Sequence, residues 1–171
     1  MRILFTIKDG VFMKLKSNFK YFLISILISL GVGGLSALLT MGNMEVYNKL
    51  NTPPLSPPSI LFPIVWSILF VFMGISSALV YKDRSYPLKA KEKALAIYGL
   101  SLFFNFFWSI IFFNLQNYAF AFIWILVLWV LILLTITNYY KINKTAALLQ
   151  IPYLLWVSFA SYLNLGIAIL N

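Results

Sequence analysis

Charged residues fall in clusters, and between them the chain runs without Asp, Glu, Lys or Arg over 21–44, 50–81, 94–140 and 145–171. A helix needs ~20 apolar residues to cross the hydrocarbon core of a bilayer. The first, second and fourth runs each predict one such helix. The third is long enough for two, and Asn114-Leu115-Gln116-Asn117 divides it near its middle. The pattern predicts an all-α integral membrane protein. Five transmembrane helices form one bundle, at about 21–41, 58–81, 94–114, 118–140 and 146–169. A basic segment, 1–20, precedes a single membrane domain over 21–170, and a loop at about 42–56 joins the first two helices.

Composition supports this. The chain is 62% hydrophobic and only 10% charged, where a soluble domain carries about a quarter charged residues. The first helix is too long for a cleavable signal peptide, and no cleavage pattern follows it. Residues 1–12 read as detachable, with Met13 as a start equal to Met1. A net charge of +9 raises the question of nucleic acid, but its distribution points to topology instead. Arg2, Lys8, Lys14, Lys16 and Lys20 precede helix 1, Lys82, Arg84, Lys89, Lys91 and Lys93 separate helices 2 and 3, and Lys141 and Lys144 separate helices 4 and 5. The opposite side has Lys49 alone. This asymmetry is the positive-inside rule. It predicts a cytoplasmic N-terminus and an outside C-terminus in a multi-pass cell-membrane protein, with the bilayer and no nucleic acid as partner.

Several chemistries drop out. His and Cys are absent, so there is no disulfide, thiol nucleophile or imidazole base, and neither ligand is available for zinc or haem iron. No metal and no required cofactor is predicted. No acid–base pair or nucleophile dyad is visible, which speaks against hydrolysis and group transfer. The spans lack central ionisable groups, which speaks against ion coupling. The absence of an internal repeat speaks against an inverted-repeat transporter. The polar groups inside the spans are uncharged: Tyr98, Asn105, Ser109, Tyr153, Ser158, Ser161, Tyr162 and Asn164.

Five of the seven prolines crowd into Pro53-Pro54-Leu55-Ser56-Pro57-Pro58-Ser59-Ile60-Leu61-Phe62-Pro63. Pro53 and Pro54 stiffen the loop. Ser56 is placed to cap helix 2, with Pro57 at its first position, where the missing N–H costs nothing. Pro63 and Pro152 fall inside helices 2 and 5 and predict kinks. Asn105, Trp108, Ser109 and Phe112 share one face of helix 3, and Trp156, Ala160 and Leu163/Asn164 one face of helix 5. Trp66 lies about nine residues, or ~13 Å, into helix 2. An amide and several indoles thus converge in one half of the membrane. Depth alone leaves core packing and ligand contact both open for Trp66 and Trp156. Trp124 fits an interfacial belt better than a pocket. Gly31, Gly33, Gly34, Ser36 and Ala37 suit close helix packing.

Pro57-Pro58-x-x-x-Phe62-Pro63-x-x-Trp66, Asn105-x-x-Trp108-Ser109-x-x-Phe112-Phe113 and Ile151-Pro152-Tyr153-x-x-Trp156-x-x-Phe159-Ala160-x-x-Leu163-Asn164 resemble the helix 2, 3 and 5 motifs of the translocator protein family. This is the TspO/MBR group of tryptophan-rich sensory proteins, which includes the peripheral benzodiazepine receptor. The resemblance covers roughly 21–170. It implies a five-helix bundle, usually a homodimer, whose internal pocket is closed by the first loop. It implies a receptor or sensor for protoporphyrin IX and similar flat ligands, including isoquinolines and benzodiazepines. Tyr47, Trp66, Asn105, Trp108, Trp156 and Ala160 would bind the ligand. Pro53, Pro54, Pro57, Pro58, Pro63 and Pro152 would shape the lid and helices. Two other roles accompany it: light- and oxygen-dependent porphyrin breakdown, with Trp66 and Trp156 as the candidate catalytic residues, and tetrapyrrole transport. The chain departs from the family at Val46 and Leu55, where many members have tryptophan. It also lacks the sterol pattern at the end of helix 5, so sterol binding is not predicted.

Overall fold

The structure, a computed structural model, describes the backbone of residues 2–171 and the side chains of 19–43 and 45–171. Arg2, Lys8, Lys14, Lys16 and the alternative start at Met13 lie outside the described side chains. The elements are α1 (Arg2–Thr40), a 3₁₀ helix (Met41–Lys49), α2 (Leu61–Lys82), α3 (Leu88–Ser109) continued by a π turn (Ile110–Asn114), α4 (Tyr118–Ile142) and α5 (Lys144–Leu170). Among the described residues, five segments are long and apolar enough to cross a membrane, beginning with Phe19–Asn43. Together they make this a multi-pass membrane protein.

Local chemistry fixes the connections. Asn143, in extended conformation, ends α4 and caps α5 by accepting from the Ala146 amide at 3.0 Å. Asn117 does the same for α4 through the Phe120 amide at 3.1 Å. Lys91 reaches back from α3 so that its Nζ donates to the Tyr81 and Asp83 carbonyls at 3.2 and 2.8 Å. This satisfies carbonyls left open at the end of α2.

The helices close into a ring in the order α1, α2, α5, α4, α3, with α3 returning against α1. Its core includes Met73, Ile125, Leu128, Ile132, Val157 and Ile167, all fully buried. Leu27, Ile28, Leu35 and Leu38 of α1 and Ile123, Leu126, Val127 and Val130 of α4 face outward. Such outward apolar faces suit lipid contact. A close approach of α1 to α2 depends on Gly74, where a Cβ would sit 2.5 Å from the Ile26 Cα.

Several expectations are corrected here. Helix α2 begins at Leu61, not 58, and Ile60 precedes it without a side-chain cap. The Ser56 hydroxyl instead donates to the Pro53 carbonyl at 2.7 Å, inside the loop. Pro57 is therefore not a first helical residue. Pro63 is the third residue of α2, in a first turn whose amides have no intrahelical acceptor in any case, so it removes no hydrogen bond there. Only Pro152 lies within a helix interior among the described residues, and α5 continues through it. Helix α3 starts at Leu88, six residues before the apolar run, because Pro87 presets its start and the cations of its first turns lie beyond the apolar stretch. The loop also carries regular structure, in the 3₁₀ helix.

Candidate ligand-binding site

The π turn, the 3₁₀ helix and the C-terminal end of α5 lie at one end of the bundle, called here the loop end. There α1, α2 and α3 enclose a cavity of about 90 Å³. Gly33, Ser36, Ala37 and Thr40 line it from α1, Phe62, Pro63, Trp66 and Phe70 from α2, and Asn105, Trp108, Ser109 and Phe113 from α3 and its π turn. Among the described residues, no charged side chain faces it. A smaller cavity of about 20 Å³ shares Phe62, Trp108 and Phe113 with the first and adds Tyr47, Ala160 and Asn164.

Hydrogen bonds fix the polar groups of the wall. The Asn105 amide donates to the Tyr153 hydroxyl at 3.0 Å. The Trp108 indole N–H donates to Asn164 Oδ1 at 3.1 Å, and Asn164 Nδ2 donates to the Tyr118 carbonyl at 2.8 Å. Asn105, Tyr153, Trp108 and Asn164 are all buried, where an unpaired polar atom costs about 1–3 kcal/mol. Trp66 meets Phe70 at 5.7 Å and Tyr153 edge-on at 6.0 Å between ring centroids. These contacts make a stiff aromatic wall.

The segment joining α1 to α2 is pinned on both sides. Asn43 donates to Asn114 Oδ1 at 3.0 Å, and Asn114 donates to the Leu39 carbonyl at 3.0 Å. Farther along, Asn51 and Asn171 exchange two hydrogen bonds, at 3.0 and 2.9 Å. The Tyr162 hydroxyl donates to the Pro54 carbonyl at 2.9 Å. Pro53 is buried against Gly166, where a Cβ would come within 2.5 Å of the proline ring. Leu55 holds a left-handed backbone, φ 66°. Its side chain is largely solvent-facing, at 83% exposure, so it contributes nothing to the wall. Tyr47 is buried and meets Phe62 edge-on at 5.1 Å. Burial pushes its phenol above the ordinary range, so it stays neutral at physiological pH.

The sequence-predicted site residues divide into three groups. Trp66, Asn105 and Trp108 meet at the larger cavity; Tyr47, Trp108 and Ala160 meet at the smaller one. Trp156 lines neither. It borders a groove of about 430 Å³ between α2 and α5, with Val65, Leu69, Pro152 and Phe159, on the outside of the bundle. Its indole N–H is buried without a hydrogen-bond partner among the described residues. Phe62 joins the two regions, since its ring packs edge-on against Trp156 at 5.9 Å as well as against Tyr47. With α2 starting at Leu61, Trp66 lies about five residues, or ~8 Å, from the helix start, shallower than its expected depth. Trp124 stacks on Phe104 at 4.4 Å and donates to the Phe104 carbonyl at 2.8 Å, so it fastens α4 to α3. Sequence reasoning missed the α1 wall. Gly33, Ser36 and Ala37 read as a packing stripe that did not include Thr40, and only the spacing of Gly33, Ala37 and Thr40 along one face signalled a common surface. It also missed Phe62 as the shared partition.

The chain matches the profile of the TspO/MBR family over residues 25–170. It is 39% identical over 125 residues to a tryptophan-rich protein TspO from Chlorobaculum tepidum, covering 73% of this chain and 78% of that one. It is 32% identical over 127 residues to a tryptophan-rich sensory protein from Cereibacter sphaeroides, covering 74% and 77%. It is 30% identical over 141 residues to the translocator protein of Bos taurus, covering 82% and 83%. With residues from all three motifs meeting at the loop end of the helical bundle, the chain belongs to the TspO/MBR family.

Proposed function

We propose that this protein is a cell-membrane receptor or sensor for flat, metal-free tetrapyrroles such as protoporphyrin IX. The observation that carries the reading is the meeting of Trp66, Asn105 and Trp108 at one uncharged cavity. Indole faces suit an aromatic macrocycle, and an amide can orient its polar edge. The lack of His and Cys favours the metal-free ring over ligated iron. A cavity of about 90 Å³ is below the ~300–1,000 Å³ usual for ligand pockets. Binding a macrocycle therefore requires Phe62 and Phe113 to part, merging the two cavities under a displaced cover.

The same reading includes a cytoplasmic N-terminus and a homodimer. Gly31 and Gly34 support the second, since a Cβ on either would meet nothing within 4 Å and a partner helix could approach closely there. If light-driven oxidation of the bound ring accompanies binding, Trp66 is the better electron donor, because Trp156 stands outside both cavities. Titration of purified protein with protoporphyrin IX tests the reading. Saturable quenching of tryptophan fluorescence is expected, with weaker binding in Asn105→Ala and less quenching in Trp66→Phe. Absence of saturable binding to the wild type would overturn it.

A further inference from the structure

Beyond the Asn105–Tyr153 pair, toward the end of the bundle that carries Asp83 and Asn143, every helix contributes a buried polar side chain. These are Ser29 from α1, Ser76 from α2, Tyr98 from α3, Tyr139 from α4 and Gln150 from α5, all under 9% exposed and four of them fully buried. Two polar atoms in this layer, Tyr139 OH and Gln150 Oε1, have no hydrogen-bond partner among the described residues. Buried polar atoms are nearly always paired.

The neighbouring bonds determine what could pair them. The Ser76 hydroxyl has one proton, which goes to the Ala146 carbonyl at 2.7 Å. Ser76 Oγ therefore faces Gln150 only as an acceptor, at 3.2 Å from Nε2. The Gln150 amide cannot be turned over to satisfy Oε1 without losing that bond. Similarly, Ser29 donates to the Ser25 carbonyl at 2.9 Å, so the Tyr98 hydroxyl is the donor in the 2.7 Å bond to Ser29. The Ser77 hydroxyl also lies against the Tyr98 oxygen, and the Tyr98 ring lies 6.2 Å from that of Tyr139. The layer thus offers an open acceptor at Gln150 and, at Tyr139, a proton that needs an acceptor.

We propose that this layer is a buried hydration site, in which water donates to Gln150 Oε1 and accepts from Tyr139 OH. A cation would satisfy Gln150 Oε1 but leave the Tyr139 proton unpaired. An anion would do the reverse. Water serves both, at two to four bonds per molecule. The site is separate from the loop-end cavity and does not depend on what that cavity binds.

X-ray radiolytic labelling of the intact protein in nanodiscs tests this, because radicals formed from bound water modify adjacent side chains. Tyr153 is the control: it is equally buried, but its hydroxyl is paired with Asn105. Tyr139 should label several-fold faster than Tyr153; equal or slower labelling overturns the proposal. Tyr139→Phe should lower Tm by a few degrees, since it strips water of a partner. An unchanged or higher Tm would mean the hydroxyl is a true orphan and would also overturn it. Finally, Tm should be the same in sodium and choline chloride. A sodium-specific rise would mean that the occupant is a cation.

Discussion

At the scale of single residues, the glycines give the sharpest contrast. A Cβ on Gly74 would meet Ile26 backbone at 2.5 and 2.8 Å, whereas one on Gly34 would meet nothing. Backbone cannot swing aside, so Gly74→Ala must push α1 off α2. It should cost about 1–3 kcal/mol, the range for overpacking. Gly34→Ala should be neutral or slightly stabilising in a monomer, because Ala is the better helix former. Thermal unfolding in detergent checks the pair, and equal Tm values would refute the close approach. Trp108→Phe tests the wall of the cavity. It keeps the ring but removes the donor to Asn164, leaving a buried amide oxygen unpaired at a cost of about 1–3 kcal/mol. Adding Asn164→Leu removes the orphaned group. The double variant should recover part of that loss in Tm, and a purely additive result would mean that the bond is idle. The Trp108 and Asn105 face was legible in the sequence because i, i+3, i+4 spacing is a geometric property of any helix. The position of Trp156 was not. A single helix face cannot say which neighbour it meets, and the ring order puts α2, not α3, against it.

At the scale of elements, the segment joining α1 to α2, proposed above as the cover of the cavity, is held by few contacts for its length. Nine residues of 3₁₀ helix, Met41–Lys49, exceed the three or four that this poorer hydrogen-bond geometry usually sustains. The segment from Leu50 to Ile60 has little regular structure and is held by Pro53 against Gly166 and by side-chain bonds to α5. Freezing one residue's backbone costs roughly 1–2 kcal/mol, and proline removes part of that cost in advance. Changing Pro53 and Pro54 to Ala should leave the bundle folded and weaken ligand binding by ~1–2 kcal/mol, about 5- to 30-fold, chiefly through faster release. Unchanged off-rates would show that the prolines only punctuate the chain. Pro63→Ala should have little effect on stability, since its position in the first turn lacks an intrahelical acceptor anyway. Tyr47 gives the cover a pH limit. Its phenol is raised by burial, so the contribution of the neutral form is complete below the free-phenol value of about 10 and is lost as pH rises above it. Stopped-flow release measured across this range should accelerate in the wild type but not in Tyr47→Phe. The start of α2 was misread because Ser-Pro-Pro carries a helix-start signal. Here Ser56 uses its proton on Pro53 instead, a choice made by the docking of the loop on α5 and invisible locally.

At the scale of the whole molecule, the number of helices was legible because a bilayer imposes length on every span, and charge-free runs report that length directly. The ring order α1, α2, α5, α4, α3 was not, because the lipid-facing and core-facing sides of these helices are both apolar and a hydrophobic pattern cannot distinguish them. What remains is orientation. The described structure gathers Lys82, Arg84, Lys89, Lys91, Lys93, Lys141 and Lys144 at one end of the bundle, Arg84 between α2 and α3 and the others on the adjoining ends of α2, α3, α4 and α5. The other end has Lys49. Short loops rich in Lys and Arg resist translocation, so the basic end should face the cytoplasm and the ligand cavity should open toward the outside. A reporter fused after Asn171 should then be active outside the cytoplasm, and one inserted near Tyr86 active inside. Neutralising Lys89, Lys91 and Lys93 together should produce a mixed population, because the charge bias is then reduced while hydrophobic lengths are unchanged. The inverse reporter pattern in the wild type would turn the bundle over. The cover would then meet the cytoplasm, and a receptor for ligand arriving from outside would become a receptor for ligand made within.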